Sequence, residues 1–194
     1  MPPQPDGEAP MTTLTTDRLI LRPWTEADFE PFATMSADRQ VMEYFPGTLT
    51  REESDAVARK LKGLIEENGI GFWALEVPGE ASFIGFAGIQ KVTFDAPFVP
   101  APPASVVEIG WRLAPAYWSK GYASEAARAA LAHGFGELGL SEIVSFTAQG
   151  NKRSQAVMER IGMNRDPAED FDHPNLPEGH PLRRHVLYRI GRPT

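Results

Sequence analysis

The stretch that most constrains the fold is residues 105–148, in which two short apolar segments enclose a helix built largely of small residues. The segments "SVVEIGWRL" (105–113) and "EIVSFTA" (142–148) carry the β-branched and apolar residues typical of strands. Between them, small and apolar residues recur at helical spacing from Gly121 to Leu138, namely at Ala123, Ala127, Ala130, Leu131, Gly134, Phe135 and Leu138. Because such a face lets a helix lie very close to a sheet, this order predicts an α/β fold.

The rest of the chain alternates between further strands and capped helices. Apolar segments predict additional strands over 14–24, 71–77, 82–92 and 183–191, and helical patterns predict helices over 25–37, 50–69 and 151–162. Thr50 and Glu53 have capping-box spacing at the start of the second of these helices. Its predicted apolar stripe consists of Ala56, Val57, Leu61, Leu64 and Ile65. Asn151 and Gly162 are the expected N-cap and stop of the last helix.

Two internal segments and the start of the chain predict irregular structure. Residues 93–104 hold four prolines together with Phe94 and Phe98. This loop either packs on its own domain or forms a wall of a substrate site or a dimer contact. Residues 164–182 are polar and proline-rich. Residues 1–13 are expected to be a disordered lead-in, and residues 14–194 to form a single domain.

Composition excludes several classes of protein. The 194 residues include no cysteine, which excludes disulfides, thiolate metal sites and cysteine nucleophiles. A net charge of −7 argues against nucleic-acid or anionic-membrane binding and is compatible with a cationic partner such as an amine. No apolar run approaches the ~18 residues of a membrane span, and no signal peptide is evident. A cytoplasmic protein is therefore expected.

Several apparent motifs lack the context that would give them meaning. "GFGELG" (134–139) matches the dinucleotide-binding pattern, but it closes a predicted helix where the true motif opens one. The late histidines and aspartates have no short metal-ligand spacing, so no metal site is predicted. These residues are Asp170, Asp172, His173, His180 and His185. They belong either to a surface loop or to the lining of an acceptor pocket.

The stretch "WSKGYASEA" (118–126) lies at the N-terminus of the small-residue helix. A tight turn there needs Gly121, and small residues let the helix pack closely. The same arrangement exposes bare backbone N–H groups at a helix N-terminus beside Lys120, which is the chemistry of an anion site. A plain helix cap and an anion site both fit these residues.

Three ordered motifs resemble the GNAT acetyltransferase superfamily, and in particular its ribosomal-protein N-acetyltransferase-like (RimJ/RimL-type) branch. They are "TDRLILRPWTEAD", "EIGWRLAPAYWSKGYASEA" and "NKRSQAVMERIGM", and the resemblance runs from about Leu14 to the C-terminus. It implies the GNAT α/β (α+β) fold, a mixed, mostly antiparallel sheet with a splayed central strand pair, flanked by helices. It also implies acetyl-CoA as the acyl donor and an amine as acceptor.

The resemblance assigns cofactor contacts residue by residue. The pyrophosphate loop corresponds to residues 118–123, with Trp118 at a position where the general pattern has glutamine or arginine. The pantetheine arm would pair with backbone groups of residues 110–113, whose unpaired N–H groups could also stabilise an oxyanion. The implied cofactor-binding residues are Gly110, Trp111, Arg112, Leu113, Ser119, Lys120, Gly121, Tyr122, Ala123, Ser124, Asn151 and Ser154.

Two residues match catalytic positions of the family, in which the amine attacks the thioester directly. Glu108 matches the usual base and is otherwise an exposed strand carboxylate or an arginine partner. Ser154 matches a serine near the thioester sulfur and is otherwise a polar first-turn residue that only contacts cofactor. Met158 stands where many relatives have a tyrosine, which leaves the acid role to Ser154 or water.

The sequence leaves the acceptor and the assembly open. A protein N-terminal α-amine and a small-molecule amine both fit the branch, and a homodimer is one option for assembly. The alternative function is a non-catalytic CoA-binding sensor or interaction module that kept the fold. A different acyl donor is a third option if Phe94 and Phe98 line the thioester end.

Overall fold

One mixed sheet organises residues 12–100 and 105–193, the part of the chain that the computed structural model describes. In chain order its strands are β1 (Leu14–Thr15), β2 (Ile20–Arg22), β3 (Phe72–Val77), β4 (Ala81–Lys91), β5 (Val107–Leu113), β6 (Glu142–Ala148), β7 (Asn164–Arg165), β8 (Phe171–Asp172) and β9 (Arg184–Gly191). They lie in the order β1-β2-β3-β4-β5-β6-β9-β7, and β8 also pairs with β9. Neighbouring strands are antiparallel except β5 and β6, which confirms the predicted sheet.

Helices cover both faces of this sheet. They are α1 (Phe29–Ala37), α2 (Arg51–Asn68), α3 (Tyr122–Gly136) and α4 (Lys152–Arg160). Trp73 of β3 meets His133 of α3 edge to face, whereas its neighbour Phe72 stacks on Phe86, which in turn contacts Phe32 of α1. Because successive strand residues point to opposite faces, α3 and α1 lie on opposite sides of the sheet.

The close approach predicted for α3 is confirmed by the surroundings of Gly134. A Cβ atom there would lie 2.8 Å from Cδ1 of Ile143, so any side chain would require the end of Ile143 to shift. Leu138, which the sequence analysis placed on the same apolar face, is 40% exposed because α3 ends at Gly136. That part of the prediction is wrong.

Helix α2 has the predicted ends and a shifted apolar face. Thr50 Oγ1 accepts a hydrogen bond from the Glu53 backbone N–H, and Gly69 ends the helix in the left-handed region. Ala56 is exposed, whereas the buried positions are Ser54, Ala58, Leu61 and Ile65. The predicted stripe is therefore correct at Leu61 and Ile65 and wrong at Ala56.

The first predicted strand, over 14–24, is two short strands. Thr16 folds the chain between them: its backbone N–H donates to the Leu19 carbonyl, and its Oγ1 accepts from the Leu19 N–H, both at 2.9 Å. Residues 1–11 of the expected lead-in lie outside the described residues. The Thr12 carbonyl accepts a 2.9 Å hydrogen bond from the Trp73 indole, so the lead-in is too long by at least that residue.

The two segments expected to be irregular both pack against the sheet. Phe94 and Phe98 contact Phe146 of β6, as expected for a loop packed on its own domain. Residues 164–182 are more ordered than predicted, because β7 and β8 both pair with β9. Among the helices described, none is long and apolar enough to cross a membrane.

Candidate active site

The site begins where β5 and β6 part. These parallel strands share one register pair, Glu108 with Val144, and Ser145 Oγ adds a 2.9 Å hydrogen bond to the Ile109 carbonyl. Beyond that point Gly110–Leu113 remain paired with β4 on their other edge. The splay predicted for the central strands is thus confirmed, and a cavity of about 940 Å³ opens along it.

Every residue that the resemblance assigns to the cofactor or to catalysis lines this cavity. The lining includes Glu108, the β5 residues 110–113, the loop and helix residues 119–124, and Asn151 and Ser154 of the α4 N-terminus. Two segments that are distant in sequence, residues 108–124 and the start of α4, therefore converge on one cleft. They belong to the second and third of the ordered motifs, whereas the first motif, residues 16–28, does not line the cavity.

The loop before α3 has the backbone of an anion cradle. Gly121 is the N-cap with φ +84°, and no side chain caps the helix there. Ser119 also has positive φ, at +60°, which orients consecutive backbone groups into a concave turn. Trp118 packs against the core, and its indole N–H donates to the Leu113 carbonyl at 2.7 Å. The first N–H groups of α3 consequently face the cavity without a side-chain acceptor.

Arginines as well as Lys120 border this loop. Lys120 Nζ lies 3.8 Å from Glu80 Oε1, so its charge is shared with a carboxylate. Arg153 and Arg160 of α4 also line the cavity, and Arg160 Nη1 donates to Ser124 Oγ at 3.3 Å. Arg18 supports the loop from outside by donating to the Lys120 carbonyl at 2.9 Å. Arg153 and Arg18 are also paired, with Glu43 and Glu125, so Arg160 is the cation of this group that has no acidic partner among the described residues.

Glu108 is a carboxylate with an altered proton affinity. Burial raises its pKa to about 7, and a hydrogen bond from Gln90 Nε2 at 2.7 Å opposes that rise. Within the described residues its carboxylate has no arginine partner, so the ion-pair alternative is wrong. A group with a pKa near 7 exchanges protons readily at neutral pH.

Asn151 and Ser154 form a small network at the start of α4. Asn151 Oδ1 accepts from the Ser154 backbone N–H at 3.2 Å, which confirms the predicted N-cap. Its Nδ2 donates to Thr147 Oγ1 at 2.9 Å and to Ser154 Oγ at 3.0 Å. Ser154 Oγ accepts in this network, so its own proton can be donated into the cavity. Met158, one turn later, is buried and lines the same wall.

Two histidines border the opposite end of the cavity. The rings of His173 and His185 lie 4.9 Å apart between centroids, and burial lowers the pKa of both. Asp170 is instead bound to Arg165, and Asp172 to Arg184. Neither aspartate lines the cavity. The pocket interpretation therefore holds for two histidines, whereas Asp170 belongs to a largely buried ion pair and Asp172 to an exposed one.

The connection between α1 and α2 provides a wall that the sequence analysis missed. Tyr44 and Phe45 line the cavity, and Phe45 lies against Arg112, with the guanidinium carbon 3.9 Å from the ring centroid. Phe94 and Phe98, considered as an acyl-site wall, do not line the cavity. The residues missed here lie in segments without periodic pattern, so the sequence held no signal for them.

Comparison with known proteins identifies the fold and the reaction class. A family model described as "Acetyltransferase (GNAT) domain" matches residues 18–164, which is more than half of the chain. The chain belongs to this GNAT acetyltransferase family. It is an acetyltransferase enzyme, and members of the family generally use acetyl-CoA.

Individual relatives agree with the family match. The "Uncharacterized N-acetyltransferase YnaD" of Bacillus subtilis (strain 168) is 34% identical over 91% of this chain and 95% of its own length. The "FsC-acetyl coenzyme A-N(2)-transacetylase" of Aspergillus fumigatus is 30% identical over 94% of this chain and 80% of its own. A crystal structure of a GNAT-family acetyltransferase from Bacillus anthracis superimposes with a TM-score of 0.74 at 29% identity, covering 93% of this chain and 99% of that one.

Proposed function

We propose that this GNAT enzyme transfers the acetyl group of acetyl-CoA to a primary amine by direct attack, as a member of the RimJ/RimL-type branch. The acceptor is a protein N-terminal α-amine or a small-molecule amine. The observation that carries the proposal is Glu108, a carboxylate with a pKa of about 7 at the point where β5 and β6 part. We assign the catalytic domain to residues 14–194.

The cleft fits the donor in shape and in charge. Bound acetyl-CoA supplies an activated thioester. Gly110–Leu113 offer a free strand edge to an extended amide-bearing arm, and the turn at Gly121 offers backbone N–H groups to phosphate. Arg153 and Arg160 add cations on the facing helix. Asn151 and Ser154 lie between these two ends of the cleft wall.

Glu108 is the proposed base. An amine acceptor is mostly protonated at neutral pH, with a pKa near ~8 for an α-amine and ~10.4 for a lysine side chain. An ordinary glutamate is too weak a base to take that proton efficiently, whereas a carboxylate with a pKa near 7 is closely matched. Burial therefore converts a common side chain into a suitable proton acceptor.

Ser154 is the proposed donor to the departing thiolate. Its hydroxyl accepts from Asn151 Nδ2, which orients it and leaves its proton available. Met158 cannot donate a proton from the position where many relatives have a tyrosine. This pair of roles, base and donor, favours catalysis over the alternative of a CoA-binding sensor.

The test combines binding with turnover. Calorimetry with acetyl-CoA and CoA is followed by a free-thiol assay on N-terminal peptides, polyamines, aminoglycosides and amino acids. Thiol release that collapses in E108Q, with unchanged acetyl-CoA affinity, supports the proposal. Binding without turnover on the whole panel favours the sensor, and no binding overturns the proposal. Arg59 of α2 is exposed and outside the cavity, so R59M is the control.

A further inference from the structure

Arg112 is a largely buried cation that lines the cavity, and among the described residues no carboxylate pairs with it. Its buried Nε has no hydrogen-bond partner among the described residues. Its guanidinium carbon lies 3.9 Å from the Phe45 ring centroid and 5.3 Å from that of Phe86. Burial lowers its pKa to about 10, with no carboxylate raising it. The side chain therefore remains protonated at neutral pH.

The aromatic rings stabilise the charge of this guanidinium but do not accept hydrogen bonds from its in-plane N–H groups. Stacking on an aromatic face is favourable for a cation, but the N–H donors point outward in the guanidinium plane. A buried charge whose donors lack acceptors is costly, so a protein seldom keeps one without use. A planar anion such as a carboxylate matches the fork of donors.

The nearby acidic residues are already engaged. Glu53 shares a small hollow with Arg112 under the α1–α2 connection, but its carboxylate accepts the Thr50 backbone N–H at 2.8 Å in the helix cap. Glu43, on the same connection, is 2.7 Å from Arg153. Arg112 therefore faces the cavity with aromatic neighbours and, among the described residues, without an acidic partner.

Arg112 is aligned with the proposed base. Glu108 and Arg112 are four residues apart on β5, so they lie on one face of the strand with their Cα atoms separated by about 13 Å. Gly110 lies between them, and a Cβ there would approach the Phe72 ring at 3.2 Å. The Phe72 ring therefore occupies the space beside Gly110, and a ligand that reaches both side chains would pass over this ring in the cavity.

We propose that the acceptor is an anionic amine, whose carboxylate is bound by Arg112 between Phe45 and Phe86 while its amine faces Glu108. This inference rests on the proposed function and narrows it to amino carboxylates long enough to span the two side chains, such as short peptides with a free carboxyl end. It disfavours polyamines and aminoglycosides. A phosphate of acetyl-CoA is the other source of an anion for the same guanidinium, and the experiment separates the two.

The first measurement is binding, which does not need turnover. N-acetyl dipeptides and N-acetyl tripeptides are titrated into the CoA-saturated protein, each beside its carboxamide. The wild type is expected to bind the carboxylates about tenfold or more tightly than the amides, the size of a charge-assisted pair. R112M should abolish that preference, R112K should retain part of it, and R59M should leave it intact.

The second measurement is acetyl transfer to the free amines of the same pairs. The preference for the carboxylate member should appear in KM, and R112M should remove it while acetyl-CoA affinity stays within about twofold of wild type. Circular dichroism verifies folding, and R112K carries the test if R112M fails to fold. Equal use of amides, faster use of polyamines, or no carboxylate binding overturns the inference. Weaker acetyl-CoA binding in R112M assigns the guanidinium to the donor and also overturns it. Absence of acetyl-CoA binding to the wild type instead refutes the proposed function.

Discussion

Across the β4–β5 pair, the side-chain amide of Gln90 donates a 2.7 Å hydrogen bond to Oε1 of Glu108. Burial raises the pKa of Glu108, and this hydrogen bond lowers it toward the ordinary value, because the donor favours the charged form. The resulting pKa of about 7 is thus a balance between two neighbouring strands. One residue on β4 thereby adjusts the proposed base on β5.

Replacing Gln90 tests that balance. In Q90M a chain of similar length without a donor leaves burial unopposed, so the pKa of Glu108 rises above 7. The acid limb of the kcat/KM profile should move to higher pH by about 0.5–1 unit. Gln40 is exposed in the α1–α2 connection, so Q40M is the matched control. A limb that stays in place in Q90M shows that Glu108 does not set it.

The same pKa predicts a stability effect in E108Q. The folded pKa of about 7 exceeds the ordinary 4.5, so the folded protein holds this proton longer than the unfolded chain does. As the pH rises from 4.5 to 7, the free energy of unfolding therefore decreases, and above pH 7 the whole decrease is present. Glutamine does not ionise, so this decrease is absent from E108Q. Relative to wild type, the free energy of unfolding of E108Q should be higher at pH 8 than at pH 4.5 by on the order of 1–3 kcal/mol. Urea unfolding at both pH values measures this gain, and an equal effect at both contradicts the assignment.

The loop at residues 118–124 and the α4 cap could be predicted from sequence because their conformations depend on neighbours in the chain. A left-handed turn needs Gly121, and the N-cap role of Asn151 follows from the segment around it. The mixed sheet followed from the order of the motifs. The turn at Thr16 was missed, because hydrogen bonds between Thr16 and Leu19 divide a segment that reads as one apolar strand.

Other features of the site depend on tertiary contacts that no local pattern reveals. His173 and His185 meet because β8 pairs with β9, and Phe45 reaches Arg112 from a connection without periodicity. The pKa of Glu108 depends on burial and on a hydrogen bond from Gln90 of β4, which is 18 residues away in the chain. The sequence therefore predicts which residues face the cleft better than it predicts their charge and partners.

A substitution of Gly121, compared with one at another left-handed glycine, distinguishes a role in cofactor binding from ordinary turn strain. Its φ of +84° disfavours any side chain, and a Cβ would lie 3.3 Å from Arg18 Nη2. Gly79 has φ +77° in the β3–β4 turn, with nothing within 4 Å and no part in the cavity. G121A and G79A should each lose about 1 kcal/mol of stability. Only G121A should also weaken acetyl-CoA binding, by about tenfold in calorimetry, and equal affinities would refute the phosphate assignment.

Ser154 distinguishes donation to the leaving group from simple contact with the donor. In S154A the Asn151 amide keeps its bond to Thr147, so the α4 cap should survive. If the hydroxyl protonates the thiolate, kcat should fall about 10- to 100-fold while acetyl-CoA affinity changes less than about twofold. Ser141 is exposed at the start of β6, and S141A should behave as wild type. A rise in Kd with kcat unchanged would mean that Ser154 only binds, and would leave the proton of the leaving group to water.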